Sequence, residues 1–101
     1  MIVAKLHQNP DGQKILALCD KNLLGKKFEE GNRQLDLTSN FYQGEEKSEE
    51  EIKELIKDAY IINLVGQESL DLIKKLNLVE EEHIIRINNI PHAQIVLVRG
   101  E

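Results

Sequence analysis

The closing stretch His83-Ile84-Ile85-Arg86-Ile87-Asn88-Asn89-Ile90-Pro91-His92-Ala93-Gln94-Ile95-Val96-Leu97-Val98-Arg99 constrains the fold more than any other part of the chain. Two β-branched, apolar runs flank the turn-like segment Asn88-Asn89-Ile90-Pro91, a pattern that predicts two strands meeting at a corner. Along the second run Ala93, Ile95 and Leu97 point one way, and His92, Gln94, Val96 and Val98 the other. Both sets carry apolar residues, which predicts an interior strand covered on both faces. His92 and Gln94 stand at its start, just past the proline Pro91 that fixes the chain direction there. This corner is where a binding site is first to be sought.

A chain of 101 residues supports one domain, residues 1–101, with a core between two layers. Its aromatic residues are only Phe28, Phe41, Tyr42 and Tyr60, so Ile, Leu and Val must fill that core. The net charge of −5 opposes a simple polyanion binder, because phosphate recognition needs a positive surface. The charge is uneven, however. Residues 1–28 hold Lys5, Lys14, Lys21, Lys26 and Lys27 against Asp11 and Asp20, a local +3, whereas residues 45–54 hold six glutamates. Cys19 is the single cysteine, which excludes an internal disulfide. The first residues alternate like a strand and lack the apolar stretch of a signal peptide. No run approaches the ~18 apolar residues of a membrane span. A cytoplasmic protein is the expectation.

Taken in order, Ile2, Ala4 and Leu6 mark a first strand, and Asn9-Pro10-Asp11-Gly12 carries the residues of a type I turn. Lys14 to Asp20 is then an antiparallel second strand with Ile15, Ala17 and Cys19 on one face. Asp20 reads as the cap of a short helical turn closed by Gly25. Lys26–Glu29 reads as extended, Gln34–Leu37 as a third strand, and Thr38–Lys47 as loop pinned by Phe41 and Tyr42. Ser48-Glu49-Glu50-Glu51 is a capping box, and Ile52, Leu55, Ile56 and Ala59 give the following helix its apolar stripe. Tyr60–Val65 fits a buried strand better than a helical continuation, with Gly66 passing the chain to a second helix near Glu68. Asn77 suits its left-handed cap and Leu78 the apolar contact that follows. The predicted fold is α/β of α+β-like character. It has a mixed sheet of five to six strands, two helices on one face, a crossover through the second helix, and the order β-β-β-α-β-α-β-β.

Motifs for catalysis do not assemble. Gly25-Lys26 lacks the glycine a phosphate loop requires five positions earlier, where Asp20 stands, and Gly66 lacks dinucleotide spacing. Cys19, His7, His83 and His92 are not at metal-ligand spacing, so neither metal nor cofactor is expected. Cys19 as nucleophile would need a depressed pKa and a base such as His92, and burial as a small apolar residue is the commoner fate. Asn63 interrupts an apolar run, so it either braces a loop or faces a ligand. His92 and Gln94 present the same choice.

Several blocks resemble a known family: Cys19-Asp20 before Leu24-Gly25-Lys26, Glu30-Gly31 with Gln34-Leu35, Phe41-Tyr42 before Gly44, Asn63-Leu64-Val65-Gly66, and Pro91-His92-Ala93-Gln94-Ile95-Val96. Their order and spacing resemble an archaeal family known as domain of unknown function 424. The resemblance implies a cytoplasmic α/β protein linked to translation, and it brings no catalytic residue. The expectation is therefore a non-enzymatic binding module associated with the ribosome or RNA. Its candidate binding residues are Lys26, Lys27, Asn63, Pro91, His92 and Gln94. Two alternatives stand beside it: a small enzyme or ligand-binding pocket using Cys19, Asp20, Asn63 and His92, and an adaptor held by protein contacts. DNA and membranes are not expected partners.

Overall fold

The computed structural model describes residues 1–97. They run β1 (Ile2–Gln8), β2 (Lys14–Asp20), β3 (Lys27–Glu30), β4 (Arg33–Asp36), β5 (Glu45–Lys47), α1 (Glu49–Asp58), β6 (Ile61–Val65), α2 (Gln67–Lys75), β7 (Ile85–Ile87) and β8 (Ile90–Val96). Short 3₁₀ turns occupy Lys21–Leu23, Asn40–Tyr42 and Glu81–His83. The first hairpin forms on the Asn9–Gly12 turn, where the Gly12 amide donates to the Asn9 carbonyl at 2.9 Å.

Six strands form a mixed sheet in the order β5-β1-β2-β6-β8-β7. Only β2 and β6 are parallel neighbours, and α1 lies in the connection between them. The crossover expected through the second helix exists, but α2 leads from β6 to β7 with β8 between them. The expected third strand does not join this sheet. The stretches at Lys27–Glu30 and Arg33–Asp36 pair with each other as a separate two-stranded hairpin. Part of the expected loop, Glu45–Lys47, pairs along Ile2–Ala4 as an edge strand. Gly44 lets it approach: a Cβ there would lie 2.1 Å from the Ala4 carbonyl oxygen.

Both helices pack on one face. Leu16, Leu18, Ile62, Leu64, Ala93 and Ile95 meet Ile52 of α1 and Leu70 and Ile73 of α2. Each fully buried Leu or Ile contributes about 1.5–3 kcal/mol, so this layer dominates the stability. The Ser48 capping box is present: the Glu51 amide donates to Ser48 Oγ at 3.2 Å and the Ser48 amide to Glu51 Oε1 at 2.9 Å. At the end of α2, Asn77 adopts φ 59°. The Leu78 amide reaches back to the Ile73 carbonyl and the Asn77 amide to that of Lys74, the paired bonds of a Schellman cap.

The opposite face is covered at one end only. There Ala17, Cys19 and Val65 pack under Leu35, Leu37 and Tyr42 from the β3–β4 hairpin and the segment after it. The predicted corner at residues 88–91 is a tighter structure. Asn88 and Asn89 take φ 51° and 66°, a two-residue hairpin that sets Ile87 opposite Ile90. Two adjacent asparagines tolerate the left-handed region, and the right-handed twist of the strands selects that turn. β8 is interior as expected, but the expectation of cover on both its faces fails. Ala93 and Ile95 are buried against the helices, whereas Gln94 and Val96 are exposed, because the β3–β4 hairpin does not extend over them.

Asp20 caps a helix other than the one its position in the sequence suggests. The 3₁₀ turn Lys21–Leu23 forms, yet the Asp20 side chain makes no bond to it. It crosses instead to the start of α2, accepting from the Glu68 amide at 3.0 Å, the Ser69 amide at 2.8 Å and Ser69 Oγ at 2.9 Å. Gly66, at φ 111°, makes room for it, since a Cβ there would lie 2.2 Å from Asp20 Cγ.

Candidate functional site

The uncovered end of the second sheet face leaves Gln94 and Val96 exposed and is where three of the residues singled out from the sequence meet. Strand register sets its composition. Lys5, Ala17, Asn63 and Gln94 form one row across β1, β2, β6 and β8, and Val3, Cys19, Val65, His92 and Ile85 form the next. The Pro91 carbonyl accepts from the Gly66 amide, so odd-numbered residues of β8 turn their backbone groups toward β6. Asn63 and Gln94 are thus a non-hydrogen-bonded pair, the arrangement that brings facing side chains closest.

On this face Lys5 donates to the Asn40 carbonyl at 3.2 Å, whereas three other polar side chains have no partner among the described residues. Asn63, His92 and Gln94 make no side-chain hydrogen bond among the described residues, although Asn63 and His92 are half-buried. Bracing, one of the two roles open to Asn63, is therefore not what it does through any such bond. Burial holds His92 below the usual imidazole range, so the ring is neutral near pH 7. Beside His92 the β3–β4 hairpin packs against β7, with the Asn88 amide donating to Glu30 at 2.6 Å, around a cleft of about 320 Å³ lined by Arg33, Gln34, Leu35, Ile85, Ile87 and His92. Arg33 is exposed and has no carboxylate at ion-pair distance among the described residues. Ile85 leaves 48% of its surface open on the cleft wall.

Chemically this is an uncharged amide and imidazole cluster next to an unpaired guanidinium and an exposed apolar side chain. It can donate and accept hydrogen bonds to planar groups and attract an anion. Of the sheet residues on this face only Glu46 is anionic, and Lys21 neutralises it at 3.0 Å.

Residues 7–98 match the family described as a protein of unknown function, DUF424. The chain belongs to this family. A search of curated proteins finds no match. The chain is also similar to a solved structure, the crystal structure of an uncharacterized conserved protein from Methanopyrus kandleri. The two are 25% identical with a TM-score of 0.79, over 99% of this chain and 95% of the other. That likeness bears out the mixed sheet with its two helices.

Three of the residues singled out from the sequence of this DUF424 chain come together: Asn63, His92 and Gln94. Pro91 lies beside them but is buried; its nitrogen faces β6 just past that strand's end, where the Gly66 carbonyl already accepts from the Leu70 amide at 3.0 Å, so a missing N–H is tolerated. Lys26 and Lys27 are exposed on and before β3, away from this row, and Lys27 lies 3.7 Å from Glu29. Cys19 is fully buried and its thiol is pushed up to about 12, first by burial and then by the Asp20 carboxylate. Asp20, 5% exposed, is engaged at α2. Neither presents a reactive atom to solvent. His7 stacks on Phe41 at 4.5 Å, His83 is exposed on a 3₁₀ turn, and no group of three potential ligands could hold a metal ion among the described residues. No helix among those residues is long and apolar enough to cross a membrane. The residue that the sequence did not flag is Arg33. It lies in a short polar hairpin, and only the packing of that hairpin against β7 brings it to His92.

Proposed function

We propose that this protein is a non-enzymatic, cytoplasmic binding module that engages single-stranded RNA within the translation apparatus, through the open sheet face and its cleft. One observation carries the reading: Asn63, Gln94 and His92 have no side-chain partner among the described residues, adjoin one another on the open face, and share the neighbouring cleft with Arg33 of the hairpin through His92. Unpaired bases are recognised by such groups. Amides and imidazole bond base edges, while guanidinium planes and apolar side chains support base faces. Arg33 supplies the positive charge that draws the phosphate backbone, and Lys26 and Lys27, at the opposite end of β3 from Arg33, add more distant positive charge. The acidic face of α1, with Glu49, Glu50 and Glu54, belongs to the opposite layer and so would not repel a strand bound here.

Fluorescence anisotropy with short single-stranded RNAs at several salt concentrations tests the proposal. Arg33→Gln and the pair Asn63→Ala with Gln94→Ala should each weaken binding by roughly 1–3 kcal/mol. Replacing Lys26 and Lys27 by glutamine should flatten the salt dependence by about two units. Co-sedimentation with ribosomal particles then examines the link to translation. Absence of RNA binding even at low ionic strength would remove the proposal in favour of a protein adaptor or a small-molecule pocket.

A further inference from the structure

The backbone of β8 has an edge that no described residue uses. The Pro91 carbonyl and the Leu97 amide both bond on the β6 side, to Gly66 and Tyr60. The odd-numbered residues therefore serve the β6 ladder, and the even-numbered ones face away. Ile90 and His92 spend their outward groups on β7, which pairs only as far as Ile85↔His92. One residue earlier the chain has left the sheet: the 3₁₀ turn Glu81–His83 ends with the Ile84 amide bonded to the Glu81 carbonyl. The outward N–H and C=O groups of Gln94 and Val96 thus have no partner among the described residues.

Where β7 would have continued there is a gap of about 390 Å³ lined by Leu78, Glu80, His83, Gln94, Ile95 and Val96. Side chains from both faces of β8 border it, as expected for space along a strand edge. Its charge is one-sided. Glu81 is bound to Lys74 at 2.8 Å and to Arg86 at 3.4 Å, which spends the neighbouring cations. Glu80 and Glu82 have no cation at ion-pair distance among the described residues, and Glu82 lies close enough to hold the Glu80 carboxyl above its usual range.

We infer that the Gln94–Val96 edge of β8 is a docking site for an extended basic peptide segment of a partner protein, which adds as a short strand in place of the missing length of β7. The open backbone groups supply two residue pairs of main-chain bonding, and alternate side chains of the peptide enter the gap or meet solvent. Lysine or arginine in the peptide answers Glu80 and Glu82. A second copy of this chain would bring the same carboxylates against each other, so charge favours the basic peptide over self-pairing.

The test uses a hexapeptide alternating lysine with valine, its glutamate–valine counterpart, and residue-resolved amide hydrogen exchange on the intact protein. In the free protein Gln94 and Val96 should exchange fast while Ala93 and Ile95 are protected. The lysine peptide should slow the two fast amides, and the glutamate peptide should not. Val96→Pro removes an outward donor without touching the β6 ladder, and should abolish binding while Ala93 and Ile95 stay protected. Reversing both Glu80 and Glu82 to lysine, at exposed positions, should weaken binding about tenfold or more, and it decides the matter if the proline variant does not fold. Protection of Gln94 and Val96 in the free protein would overturn the proposal. So would equal binding of the two peptides, or self-association that protects the same amides.

Discussion

Removing the Asp20 carboxylate should be the most damaging single polar change in this protein, although the residue lies at the end of a strand and far in sequence from the helix it serves. Asp20 accepts two backbone amides and one hydroxyl at the start of α2. Asp20→Ala leaves the Ser69 amide and hydroxyl unsatisfied in a fully buried position and frees the Glu68 amide beside them. Stranding a buried donor costs about 1–3 kcal/mol, and loss of an ordinary N-cap about 1 kcal/mol. Allowing for water reaching the partly exposed Glu68 end, the expected loss is roughly 3 kcal/mol. Asp20→Asn keeps the shape and one acceptor oxygen but turns an N–H₂ toward a backbone donor, so about half that loss is expected. Gly66→Ala supplies an independent approach to the same contact. Its Cβ would collide with Asp20 Cγ, and φ 111° is unfavourable for alanine, so this variant should also lose the cap.

Urea denaturation of the two single variants and the double variant measures the effect. Because Gly66→Ala and Asp20→Ala destroy the same bonds, their costs should fall short of additivity by about 1–2 kcal/mol. Amide exchange should show α2 opening before the sheet in each variant. A loss below about 0.5 kcal/mol for Asp20→Ala, with an unchanged slope, would refute the reasoning. So would strict additivity of the pair, since the cap would then not be what Gly66 protects.

Three further outcomes follow from the same structure. Ser48→Ala should cost about 1 kcal/mol, read from the denaturation midpoint, because it removes one half of the reciprocal bond that starts α1. The Cys19 thiol, pushed up to about 12 and fully buried, should resist thiol reagents at neutral pH until the chain unfolds, and rapid labelling of the native protein would contradict this. His92 is held below 6.5 by burial, so the unfolded chain takes up a proton that the folded chain resists. Stability should therefore fall as pH drops from 7 through that lowered value, and His92→Gln should remove that part of the acid sensitivity in denaturation curves taken across the interval.

Local chemistry explains which parts of the fold could be foreseen. The Asn9–Gly12 turn, the Ser48 capping box and the Asn77 cap are each determined by residues within a few positions of one another. Their patterns in the sequence correspond directly to bonds in the structure. Asp20 shows the opposite case. A strand-end aspartate before a helical turn looks like a local cap, and tertiary packing redirects it to a helix forty-eight residues away. The same distinction separates Asn63 from Arg33. An asparagine among Ile, Leu and Val is conspicuous in any one-dimensional reading, because a buried amide needs an explanation. An arginine in a polar hairpin is unremarkable until that hairpin proves to belong to a second sheet. The alternation of apolar residues could not show that detachment, since a strand of the main sheet and a strand of a separate hairpin both bury every second side chain. Cover on the second face of β8 depends on where the detached hairpin stops. It shields Cys19 and Val65 and ends short of Gln94 and Val96, so the polar residues of the closing strand stay open to solvent. The open face therefore follows from hairpin placement rather than from the composition of β8, and a longer β3–β4 hairpin on the same sheet would close it.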